Sequence, residues 1–115
     1  MTNHQPIPEV NENDVERIVR RDYPAEQFDT VMNMLNEYGV EQWQRENSRV
    51  RLAAMKLAAG NLEMLRRALN SAKVDYRDVL SGAEYPTYES NSSQIEKRKA
   101  IENDWNQYQA WLNRR

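Results

Sequence analysis

Residues 56–86 read KLAAGNLEMLRRALNSAKVDYRDVLSGAEYP. This stretch decides the fold, because each break in its apolar pattern carries a residue whose chemistry starts or stops a helix. Gly60 offers the left-handed conformation that ends a helix, and Asn61 is an N-cap whose amide oxygen can accept a backbone N–H of the next turn. Leu62, Leu65, Leu69 and Ala72 then recur at helical spacing and face inward with Met64 and Ala68, while Glu63, Arg66, Arg67 and Asn70 face water. Lys73 and Val74 turn the chain. Asp75 caps a short helix over about 76–83 that buries Val79 and Leu80, and Pro86 forbids its continuation.

Working toward the N-terminus, a helix over about 41–59 carries Trp43, Asn47, Val50, Ala54 and Leu57 on one face and Leu52, Met55 and Ala59 on another. A helix apolar on two sides belongs in the centre, so Leu57 and Leu65 are expected to be buried. Before it, Pro24 suits the first turn of a helix that stops at Gly39 and presents Phe28, Val31, Met32, Leu35 and Tyr38 as one stripe. Asn13 and Glu16 have capping-box spacing and open a first helix over about 14–22. Residues 1–10, with Pro6 and Pro8, carry no periodicity and read as a flexible arm.

Toward the C-terminus, residues 85–92 read as a linker. Ser93 with Glu96 repeats the capping-box spacing and opens a helix over 94–113, where Ile101, Trp105, Tyr108 and Leu112 form an aromatic stripe. Two heptads are too short for an independent coiled coil. The stripe is therefore expected to dock within its own chain, burying Trp105 and leaving Trp111 at the edge, which favours a monomer over a homodimer. Valine, isoleucine and threonine total 15 residues and no segment alternates with period two. The expectation is an all-α single domain over 11–115, a bundle of five to six helices ending in a long aromatic-striped one.

Composition narrows the chemistry further. The 115 residues include no cysteine and a single histidine, His4, which excludes disulfides, thiolate sites and most histidine-based catalysis. No glycine-rich phosphate loop, HExxH or GxSxG stands in the sequence, and the run Asn11, Glu12, Asn13, Asp14 lacks the glycine and bidentate glutamate of a calcium loop. An enzyme is not expected, nor a cofactor or metal. No run approaches the roughly 18 apolar residues of a membrane span, and the first residues are too polar for a signal peptide, so a cytoplasmic location is expected.

The net charge of −2 hides a sorting along the chain: −6 over residues 1–44, +5 over 45–77, −3 over 78–93 and +2 over 94–115. Such sorting suits a two-signed surface that meets a charged partner. Arg45, Arg49 and Lys56 at helical spacing, with Arg66 and Arg67 on the next helix, are the candidate nucleic-acid contacts. Residues 67–80 have roughly helix-turn-helix spacing, yet Asp75, Asp78 and Glu84 put the wrong sign where phosphates would lie. Tyr85 and Tyr88 beside Pro86, together with Arg77 and Trp111, are the candidate protein contacts, since rigid amphipathic rings and arginine recur at interfaces.

The runs KLAAGNLEMLRRAL, AKVDYRDVL and AEYP, within Arg49 to Tyr88, together with DWNQYQAWL at Asp104 to Leu112, resemble a group of small helical bacterial proteins without assigned activity. That resemblance implies a bacterial source and no residue role. The leading expectation is a non-enzymatic protein–protein interaction module, an adaptor or a neutralising partner. The alternative is a helical nucleic-acid binder.

Overall fold

In the computed structural model, residues 5–41, 46–90 and 94–115 are described. They form α1 (Glu12–Asp22), a 3-10 turn (Ala25–Gln27), α2 (Phe28–Asn36), α3 (Asn47–Ala58), α4 (Leu62–Glu84), α5 (Pro86–Ser90) and α6 (Gln94–Asn113). The protein is an all-α single-domain bundle, with no strand among the described residues. Among these residues, no helix is long and apolar enough to cross a membrane.

The centre is the α3–α4 hairpin. Ala59 and Gly60 both take left-handed backbone, φ +49° and +83°, which reverses the chain in the two residues after α3. Asn61 Oδ1 then accepts the Met64 N–H at 2.9 Å, the expected N-cap. Leu52, Met55, Leu65, Leu69 and Ala72 fill the space between the two helices and are almost wholly excluded from solvent. Leu57 departs from the expectation. It is 41% exposed, because the Leu52, Met55 side of α3 meets α4 while Leu57 lies toward the rim of the hairpin, its Cδ2 3.9 Å from where a Cβ on Gly82 would sit.

The break foreseen at Asp75 is present as a kink within α4. Asp75 has φ −152° and ψ 100°, and its Oδ1 accepts the Arg77 N–H at 3.0 Å, restarting the helix as a cap would. The preceding helix stops before Pro86 as expected, but the segment expected to be a linker differs: Pro86 also begins α5, since the N–H that proline lacks has no partner in a helix's first turn. The Tyr88 N–H, a first-turn donor without an intrahelical partner, is accepted by Asp104 Oδ2 at 2.9 Å.

The first helix starts two residues early. Asn11 and Asp14 form the capping box in place of Asn13 and Glu16, with Asn11 Oδ1 accepting from Asn13 and Asp14. The arm is also less free than its composition suggested. Pro8 is buried, Val10 packs against the core, and the Pro6 carbonyl accepts the Tyr85 hydroxyl at 2.6 Å. His4, Trp43 and Ser93 lie outside the described residues.

Helix α6 has the expected bounds, and it docks within the chain through Tyr108 and Leu112, both in the core. Ile101, Tyr108 and Leu112 of the expected stripe are buried, and Trp105 is the exception. Asp104 is 1% exposed while Trp105 is only half-buried, because the Asp104 carboxylate turns inward to hold the start of α5.

Two arginines add side-chain donors to the carbonyls at helix ends, where the negative end of the helix dipole favours a cation. Arg51 on α3 donates through Nε to Leu35 O at 3.0 Å and through Nη2 to Tyr38 O at 2.6 Å, closing α2, while its Nη1 reaches Glu12 at 2.6 Å. Arg21 on α1 donates through Nη1 to Trp111 O at 2.5 Å and Arg114 O at 2.9 Å, closing α6.

Candidate functional site

Among the described residues, the expected nucleic-acid contacts do not form one exposed face. Arg49 and Lys56 do share one side of α3, two turns apart, but both are partly covered by the rest of the molecule. Arg49 makes a two-pronged pair with Glu84: Nε to Oε2 at 2.7 Å and Nη2 to Oε1 at 2.6 Å. The Glu84 side chain is 2% exposed and that of Arg49 16%. Hydrogen bonding to Glu84 raises the Arg49 pKa above its ordinary value against an opposing effect of burial. Lys56 is half-buried, and loss of solvent lowers its pKa, partly countered by the Asp104 carboxylate. Arg66 and Arg67 are exposed and both pair with Glu63 on their own helix. Arg45 lies outside the described residues.

The four expected protein contacts are likewise dispersed. Tyr85 is 4% exposed with its hydroxyl committed to Pro6, so it is a clasp for the N-terminal segment rather than a surface contact. Burial, with a smaller effect of Glu84, pushes its pKa up to about 12. Tyr88 is half-buried beneath the Lys97 ammonium, 4.7 Å from the ring centroid. Arg77 is exposed and pairs with its near neighbour Asp75. Trp111 is half-buried at the far end of α6, its ring 5.5 Å from Tyr108 and beneath the Arg21 guanidinium at 5.2 Å.

Trp111 lies beside the feature that the sequence did not disclose. The end of α1 and the end of α6 converge, so that Arg17, Arg20, Arg21, Asn113, Arg114 and Arg115 line one open cleft of about 510 Å³. Positions 17, 20 and 21 fall on one face of α1 through helical spacing. Arg21 brings the two helix ends together by holding the α6 carbonyls, with its Nε 2.8 Å from Asp22 Oδ1. The others project outward. Arg17 meets Asp14 at 3.4 Å, Arg20 meets Glu16 at 2.8 Å with its side chain 63% exposed, and Arg114 approaches Asp22 at 3.7 Å. Arg115 is exposed and has no ion-pair partner among the described residues.

Aromatic rings and a second hollow extend the cleft. The Arg20 guanidinium lies 4.3 Å from the Phe28 ring centroid, and both residues line an adjoining depression with Tyr23, Ala25 and Asp29. Tyr23 is 4% exposed and its hydroxyl has no hydrogen-bond partner among the described residues. Burial, then the Asp22 charge, pushes its pKa up to about 12. On the other side Arg21, Asp22, Lys56, Gly60, Trp111 and Arg114 border a further hollow. The result is a strip of guanidinium groups, two of them, Arg20 and Arg21, set on the aromatic rings of Phe28 and Trp111.

No family model, curated protein or solved structure matches the chain.

Proposed function

We propose that this chain is a non-enzymatic protein–protein interaction module that meets its partner at the α1–α6 junction. One observation carries the reading: five arginines from opposite ends of the sequence converge on a single open cleft beside Trp111 and Phe28. Arginine and aromatic rings are the side chains that most often anchor protein interfaces, because each gives a large rigid contact and a directed polar group. The helical hairpin behind the cleft fixes both of its walls, so binding orders little of the backbone and loses little free energy to that ordering.

A photo-crosslinking amino acid placed at Asn113 in the native cell tests the reading, with the same residue at the exposed Asn70 on α4 as the control. A discrete protein adduct at position 113 and none at position 70 is the expected result. Equal labelling at the two positions, or no protein adduct at position 113, refutes it.

A further inference from the structure

We infer that the α1–α6 cleft takes an acidic polypeptide segment, one whose Asp or Glu side chains are received by Arg17, Arg20 and Arg115. The inference rests on the interaction-module reading and names the chemistry of the partner.

The division of labour among the arginines supports it. Arg21 is consumed internally, its side chain 10% exposed and bonded to Asp22 and two α6 carbonyls. The ion pairs of Arg17 and Arg20 are with carboxylates of their own helix, 28% and 48% exposed, and such partly solvated pairs exchange readily for other carboxylates in water, while the Phe28 ring supports the Arg20 guanidinium from behind. Arg115 has no ion-pair partner among the described residues. Guanidinium groups suit carboxylates, whose two oxygens match the parallel N–H donors of the fork.

Spacing fits as well. Side chains three apart on a helix stand about 5–6 Å apart at Cβ, as Arg17 and Arg20 do on α1. Alternate residues of an extended peptide repeat at about 6.6–7 Å, so successive acidic side chains on one face of such a segment can meet both arginines.

The field around the cleft selects a short acidic segment over nucleic acid. Asp14, Glu16 and Asp22 stand among the five arginines, leaving an excess of two positive charges among these side chains. Duplex DNA carries about one charge per 1.7 Å and is held by long uninterrupted basic stripes. Here the carboxylates interrupt the stripe, Asp29 lies in the adjoining depression, and the chain as a whole is −2. A few side-chain carboxylates can slot between those acids; a continuous phosphate backbone cannot avoid them.

Fluorescence anisotropy with a labelled short peptide of alternating glutamate and alanine, a glutamine–alanine control, and labelled single-stranded and duplex DNA tests the inference on the full chain. The expected result is saturable binding of the glutamate peptide, none of the glutamine peptide, and weaker binding of either DNA at the same salt. Changing Arg17→Gln, Arg20→Gln and Arg115→Gln together should weaken the peptide roughly tenfold, the loss expected for three exposed ion pairs. Arg66→Gln with Arg67→Gln should leave it unchanged. Tighter binding of DNA than of peptide, an unaltered affinity in the triple variant, or no peptide binding overturns the inference. If the peptide fails while the crosslink at position 113 persists, the interaction-module reading stands with a different partner chemistry. If both fail, both fall.

Discussion

Removing one member of the Arg49–Glu84 pair should be among the most damaging polar changes in the protein. In Glu84→Gln the shape of the side chain is kept, but the amide nitrogen faces a guanidinium N–H, donor to donor, and one of the two hydrogen bonds at 2.6 and 2.7 Å is lost. The arginine is then left charged among Leu80, Ser81, Tyr85 and the N-terminal segment, its side chain only 16% exposed. Breaking a buried pair in this way costs about 3–5 kcal/mol; a small cavity beside Arg49 admits partial hydration, which places the expectation near about 3 kcal/mol. At about 4 °C per kcal/mol for a domain of this size, Tm should fall by roughly 12 °C. Replacing both residues, Arg49→Met with Glu84→Leu, removes the stranded charge and should restore stability to within about 1 kcal/mol of the parent. Urea denaturation followed by far-ultraviolet circular dichroism on the parent, Glu84→Gln, the two single variants Arg49→Met and Glu84→Leu, and their double variant gives the coupling directly. A Glu84→Gln variant as stable as the parent, or a double variant that loses the sum of the two single losses, would refute the reasoning.

Tyr23 and Tyr85 have folded-state pKa values near 12, and Tyr108 is raised further by burial, against an unfolded value near 10. Their contribution to stability is therefore complete below pH 10 and is lost as pH rises through 12, because there the unfolded chain releases phenolic protons that the folded one retains. Lys56, shifted downward by burial, acts in the opposite sense and only softens the fall. Spectrophotometric titration should show these tyrosines ionising with unfolding; normal ionisation near pH 10 in a folded protein would contradict this. Leu65→Ala should cost about 2–5 kcal/mol by opening a cavity in the hairpin. Leu57→Ala, at a partly exposed site, should cost less than half as much, and equal losses in thermal denaturation would show the hairpin packing to be wrong.

Local chemistry explains what the sequence made legible. Asn61, Gly60 and Asp75 follow from caps and a left-handed residue that act within one turn, and all three stand where the sequence put them. The start of α1 slipped by two residues because Asn11–Asp14 and Asn13–Glu16 have the same spacing, and spacing alone cannot choose between two valid boxes. Arg49 and Lys56 read as a solvated face because charged residues usually lie outside; their partial burial depends on Glu84, 35 residues away, and on α6. Trp105 was expected to be buried with Ile101, Tyr108 and Leu112, but its neighbour Asp104 is buried instead, accepting the Tyr88 N–H at the start of α5. The arginine cleft joins residues separated by more than 90 positions through Arg21 and the α6 carbonyls, and no local pattern encodes that bond. Sorted charge hinted at a two-signed surface. Its location required the fold.

The most direct test of the cleft is nuclear magnetic resonance of the arginine Nε–Hε groups during titration with the short glutamate–alanine peptide. Arg17 and Arg20 should shift progressively and saturate together, with the Trp111 indole following, while Arg49 and Arg51, held by Glu84 and by the carbonyls of Leu35 and Tyr38, stay in place. Shifts centred on Arg66 and Arg67, or an unchanged spectrum at saturating peptide, would contradict the account.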